Sequence, residues 1–201
     1  VCAAPANIEP IYAALAIDHS GSMQGEPLAE ARNAASDFVH LMNLDKEGDG
    51  VAVVMLIEAA VLLTPFSHDW GDVVRVIQDI PEGGGTDIAA GLATAAHQFT
   101  VDPPPTDARR VLILLSDGQS DPSAAIAAAD QAKSQGIRVV TIALGDADRS
   151  TLAEIASSET DTYEAADPAT LLEIYGEIAA GMVGTTATDV TLTETYNDGR
   201  F

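Results

Sequence analysis

The chain has 201 residues, 47% of them apolar, with 16 Gly and 10 Pro. That is enough for one domain with a sizeable core, and the composition is neither disordered nor fibrous. Its 31 acidic and 9 basic residues leave a formal charge of −22, which excludes nucleic acid and anionic membrane as partners drawn in by charge and favours divalent cations.

Val1 opens the chain without Met, so the sequence reads as an excised or processed piece, with residues 1–9 as an N-terminal extension. Cys2 is the single cysteine, so no intrachain disulfide can form; it is either a boundary residue or a point of lipid attachment. The apolar run 11–17 (IYAALAI), ending at Asp18, predicts a buried strand. After the loop DHSGSMQG a helix is predicted over 27–42, with Pro27 suited to its first turn. Residues 51–57 (VAVVMLI) predict a second buried strand, and 60–64 (AVLLT) a third, joined to it so tightly that the two must pair antiparallel. A short helix over 70–78 follows, and GGGTD at 83–87 opens a helix over 87–98. The Pro-rich segment 101–108 reads as a surface loop. Residues 111–118 (VLILLSDG) form the clearest buried strand, again ending at an acid. A helix (122–135), a strand (137–144), a short helix (150–156), a strand near 161–164 and a helix (168–181) complete the pattern.

This rhythm argues for an α/β fold with a mostly parallel sheet and helices on both faces. Residues 185–201 change to Thr-rich alternation with a turn-like NDG, either the start of a following β domain or an added edge strand. No run reaches the roughly 18 apolar residues that would span a membrane, so direct membrane insertion is not expected.

Open α/β sheets place their sites at the carboxyl ends of the strands. Asp18 and Asp117 stand at two such ends, and Thr86 falls on a loop at the same edge. In D-x-S-x-S, alternate positions of an extended loop can point Asp18, Ser20 and Ser22 the same way. Gly21 and Gly25 let that loop turn back, and glycines 83–85 let Thr86 approach closely. Two carboxylates and three hydroxyls are hard oxygen donors, suited to Mg²⁺, Mn²⁺ or Ca²⁺ and not to Zn²⁺. With so few charged ligands the ion keeps much of its Lewis acidity, and one position should stay open for an outside carboxylate or water.

The segments IYAALAIDHSGSM, GGGTDIAAGL and VLILLSDG resemble the three signature segments of the von Willebrand factor type A (VWA) domain, over about residues 10–182. The metal-ion-dependent adhesion site (MIDAS) of that family has the pattern D-x-S-x-S, then Thr, then Asp. Position by position these match Asp18, Ser20 and Ser22, then Thr86, then Asp117. The resemblance implies a doubly wound six-stranded sheet with one antiparallel edge strand. It also implies Mg²⁺ or Mn²⁺ at the top of the sheet, completed by an Asp or Glu of a protein partner. Family roles include adhesion, matrix binding, pilus tips and complex assembly, so an extracellular or cell-surface location is expected. Two departures touch no ligand. The second strand leads into MLIEAAV where the family favours a Phe-Ser-like pair. His19 fills a position where small or hydrophobic residues are commoner, either as an exposed loop residue without a role or as a source of pH dependence.

Other motifs carry less. GGGTD lacks the Walker pattern and a nearby lysine, which argues against a phosphate cradle. DKEGDG at 45–50 resembles the start of an EF-hand loop, but its twelfth position would be Leu56, so a polar turn is expected. Asp146 and Asp148 read as surface acids or as a rim to the site, His40, His68 and His97 as surface or helix-flank residues, and Trp70 and Phe66 as packing residues or a hydrophobic rim around the third strand. No enzyme is expected. Ser20 and Ser22 have no histidine partner beyond His19, which alternation points elsewhere. A phosphatase-like use of Asp18 would want a second Asp where Ser20 stands. Two readings remain: a metal-dependent protein-binding module, and a structural domain of a larger surface or assembly protein whose metal only stabilises loops.

Overall fold

The sheet is built from uninterrupted apolar runs, which bury both faces of a strand as a parallel sheet requires. In the computed structural model, which describes residues 9–44, 48–116, 120–144 and 147–165 together with Gly176 and Ile178, the strands are β1 (Ile11–Asp18), β2 (Gly50–Leu56), β3 (Val61–Ser67), β4 (Arg109–Ser116), β5 (Arg138–Leu144) and β6 (Thr162–Ala165). They form one sheet in the order β3-β2-β1-β4-β5-β6. Only β3 is antiparallel to its neighbour. The connections carry α1 (Glu26–Leu41), α2 (Trp70–Gln78), α3 (Ile88–Val101), α4 (Pro122–Ser134) and α5 (Arg149–Ile155).

The side-chain alternation of β1 divides the core in two. Leu15 and Ile17 face Phe38 of α1 and Ile77 of α2. Ala14 and Ala16 face Leu92 and Phe99 of α3 and the Ala125 and Ala129 faces of α4. Small residues on this second face draw α3 close, and a Cβ on Gly91 would lie 2.8 Å from Leu56 Cγ. Part of the acid excess is structural. Asp69, Asp87, Asp121 and Asp148 each cap a helix N-terminus, accepting from the free amides of α2, α3, α4 and α5. Helix α1 instead starts behind Gly25, whose φ of 83° suits glycine.

Several expectations shift in detail. Strand β3 runs on through Pro65 to Ser67, beyond the predicted 60–64; at a sheet edge a residue without an N–H can be carried. Of the turn expected over 45–50, residues 45–47 lie outside the described residues; Asp49 accepts from Ile11 N through Oδ1 at 2.7 Å and from Asn43 N through Oδ2 at 2.9 Å. Phe66 packs between Tyr12 and Phe99, with ring centroids 5.1 and 4.9 Å away. Trp70, expected to pack, is 57% exposed and lies 5.0 Å from the His40 ring. Placed at the first position of α2 and at the end of the edge strand's return, it has only one side covered. His68 is half-buried, with Nδ1 2.8 Å from the Asp49 carbonyl. The predicted helix 168–181, apart from helical Gly176 and Ile178, lies outside the described residues, as do Cys2, Asp146 and the 185–201 tail. Among the described residues no helix is long and apolar enough to cross a membrane.

Candidate metal centre

The chain leaves β1 for β2 on one side and β4 for β5 on the other, so the loops at the carboxyl ends of β1 and β4 part and leave a crevice. Asp18, the last residue of β1, lies in it with no exposed surface. Its Oδ1 accepts from the backbone N–H of Ser20 at 2.9 Å. The Thr86 hydroxyl donates to Oδ1 at 3.2 Å and to Oδ2 at 3.3 Å. The Ser116 hydroxyl donates to Oδ2 at 2.8 Å. Ser20 itself is 7% exposed.

Thr86 reaches Asp18 because its neighbour is tied at several points. The Asp87 N–H donates to the Ile57 carbonyl at 3.2 Å, and the Asp87 carboxylate caps α3 by accepting from Ala90 N at 2.9 Å. The Ile88 N–H donates to Ser120 Oγ at 3.2 Å, joining the start of α3 to the segment after β4. The preceding glycines form a strap that runs close against neighbouring side chains. A Cβ on Gly83 would lie 3.1 Å from Gln24 Nε2, on Gly84 2.6 Å from His19 Cε1, and on Gly85 2.8 Å from Glu58 Oε1.

This strap corrects the reading of His19 as an exposed loop residue. His19 is 2% exposed, and neither ring nitrogen has a hydrogen-bond partner. Gly84 comes so close to the ring that an added Cβ would lie 2.6 Å from Cε1 and 2.9 Å from Nε2.

Of the five predicted ligands, the structure brings together Asp18, Ser20 and Thr86. Asp117 and the side chain of Ser22 lie outside the described residues. Ser116 was missed by sequence reasoning, which passed to the acid after it. The β1–β4 register, with Ile17 opposite Leu115, sets Asp18 beside Ser116, and that register comes from the fold and not from the spacing of the motifs. Asp148 is a capping residue, with Oδ2 accepting from Thr151 Oγ1 at 2.7 Å, and that hydroxyl holds its carboxyl below the usual range.

The residues present fit a hard divalent cation. A carboxylate wholly removed from water is costly unless a charge offsets it, and the donors named above are neutral hydroxyls and an amide. A hydroxyl that donates to Asp18 keeps its oxygen lone pairs for a cation. Among the described residues no three His, Cys, Asp or Glu side chains gather into a cage. When bound, the cation supplies Lewis acidity toward an incoming oxygen donor, and Asp18, Ser20 and Thr86 would hold it.

A six-stranded, doubly wound α/β domain with an acid-and-hydroxyl cluster at its switch point is the class of protein that this geometry defines. The family profile of the von Willebrand factor type A domain matches residues 14–177, and the chain belongs to that family. No curated protein sequence matches the chain. Among solved structures it is similar to the vWF domain of the type V pili tip protein Mfa5 from Porphyromonas gingivalis, with 19% identity and a TM-score of 0.82 over 92% of this chain and 99% of that one. It is similar to the pilus adhesin SpaC from Lactobacillus rhamnosus GG in its open conformation, with 15% identity and a TM-score of 0.76 over 88% of this chain and 30% of that one. It is also similar to proximal thread matrix protein 1 from mussel byssus with a zinc-occupied MIDAS motif, with 21% identity and a TM-score of 0.74 over 88% of this chain and 46% of that one. Zinc in that relative removes the force of excluding Zn²⁺ from such sites on donor hardness alone.

Proposed function

We propose that this chain is a divalent-metal-dependent protein-binding module of the adhesion type and not an enzyme. Asp18, Ser20, Ser22, Thr86 and Asp117 hold Mg²⁺, with Mn²⁺ or Ca²⁺ as substitutes, and an Asp or Glu of a protein partner completes the coordination. The binding unit extends over residues 10–182, with 185–201 as a β-rich tail that is either the start of a following β domain or an added edge strand, and the protein works at the cell surface or outside the cell. The observation that carries this reading is the buried Asp18 carboxylate, surrounded by hydroxyls at the carboxyl ends of the central strands. Its similarity to pilus-tip and adhesin domains supports the setting.

Water-proton relaxation on the Mn²⁺-loaded protein tests the open coordination position. A Glu-bearing peptide should displace metal-bound water and lower the relaxivity, while its Gln counterpart should not. If chelation lowers the melting temperature but neither peptide changes the relaxivity, the metal is structural and the binding role fails.

A further inference from the structure

The strap of glycines 83–85 runs against the side chains of Gln24, His19 and Glu58. Glu58 is the carboxylate among them, and three observations place it at the rim of the metal centre. The β1–β2 register sets Asp18 beside Leu56, so Ile57 and Glu58 leave the sheet at the same edge as Asp18. The Asp87 N–H donates to the Ile57 carbonyl at 3.2 Å, which holds this exit against the Thr86 loop. The Glu58 side chain then lies along Gly85, where a Cβ would be 2.8 Å from Oε1 and 2.9 Å from both Cγ and Cδ. Thr86, whose hydroxyl donates to Asp18, is one Cα step of about 3.8 Å further on.

Glu58 is exposed, and among the described residues no donor or cation engages its carboxylate. The turn that carries it is unusual. Ala60, which leads into β3, has a φ of 39°, a region that residues with a side chain rarely enter and keep only where their surroundings impose it. A free carboxylate is therefore held over the strap, beside a residue that touches Asp18.

We propose that Glu58 selects the partner of the metal centre: it takes a lysine or arginine side chain of the same segment whose Asp or Glu reaches the metal. The proposal rests on the metal-dependent reading given above. On that reading Asp18 and Asp117 balance a divalent ion, so a guest carboxylate brings an uncompensated negative charge to the neighbourhood of Glu58. Like charges set side by side are costly, and a base next to the guest acid offsets both. The formal charge of −22 draws in a segment that carries bases and repels one that carries acids alone. The guest is thus a segment of mixed charge.

The experiment is fluorescence anisotropy of two labelled, end-capped peptides, Gly-Gly-Glu-Gly-Gly and Lys-Gly-Glu-Gly-Lys, with the whole chain loaded with Mn²⁺. Salt at about 0.15 M limits the reach of distant charges to about 8 Å. The lysine peptide should bind the wild type more tightly than the glycine peptide, and Glu58→Gln should weaken it about three- to fivefold. The glycine peptide should bind Glu58→Gln at least as tightly as it binds the wild type. Glu154→Gln, which removes an exposed charge on α5, should change neither. Equal affinity of the wild type for the two peptides, equal weakening of both in Glu58→Gln, or the same loss in Glu154→Gln would overturn the role of Glu58 and leave the metal-dependent reading standing. Absence of Mn²⁺-dependent binding of either peptide would overturn both.

Discussion

The Ser116 hydroxyl donates to Asp18 Oδ2 at 2.8 Å, across 98 residues of sequence. The bond ties the carboxyl ends of β1 and β4 at the point where the winding of the sheet reverses. Both residues have no exposed surface, so water cannot replace either partner. Ser116→Ala should therefore lower the urea midpoint in EDTA by the equivalent of about 1–3 kcal/mol, with an unchanged m-value. Since Asp18 loses part of what orients it, metal affinity should fall by about 10- to 100-fold. Unchanged metal affinity by titration calorimetry would mean that Ser116 does not position Asp18.

Gly84→Ala puts a Cβ 2.6 Å from His19 Cε1, well inside contact distance. The strap must lift, and Thr86, two residues on, lifts with it. The expected cost is about 1–3 kcal/mol of stability together with weaker metal binding. Removing the ring in the His19→Ala, Gly84→Ala double variant should restore part of both, because the two changes share one contact. Additive losses in the double-mutant cycle would place the strain elsewhere.

Asp148 predicts a pH effect. The Thr151 hydroxyl and amide hold its carboxyl below the usual aspartate range. The folded state then binds this proton less tightly than the unfolded state, so the contribution is full above the unfolded value and is lost as pH falls through the folded one. Asp148→Ala should flatten the acid limb of the stability curve below about pH 4. Chemical denaturation at several pH values would show it, and an acid limb identical to that of the wild type would refute it.

The strands, and the place of Asp18 at the carboxyl end of one, could be read from the sequence because each rests on a local pattern. Uninterrupted runs such as IYAALAI and VLILLSDG admit only buried strands in an α/β rhythm, whereas the extended, alternating loop expected after Asp18 tightens into a 3-10 turn at Gly21–Met23. What depends on cross-chain placement was harder to read. His19 looked exposed because it stands in a polar loop, and only the fold lays Gly84 over it. Ser116 becomes a partner of Asp18 through the β1–β4 register, which spacing alone does not state. Trp70 looked like a core residue by type, yet its place at the start of α2 leaves it exposed.

The most direct test of the metal centre is a titration of EDTA-stripped protein with Mn²⁺ and Mg²⁺, by calorimetry and by melting temperature, for the wild type and Asp18→Ala. An ion that binds the folded state raises the melting temperature with its concentration. The account predicts one ion per chain, a rising melting temperature for the wild type, and neither heat nor rise for Asp18→Ala. Ion binding of equal strength in folded Asp18→Ala, or none in the wild type, would contradict it.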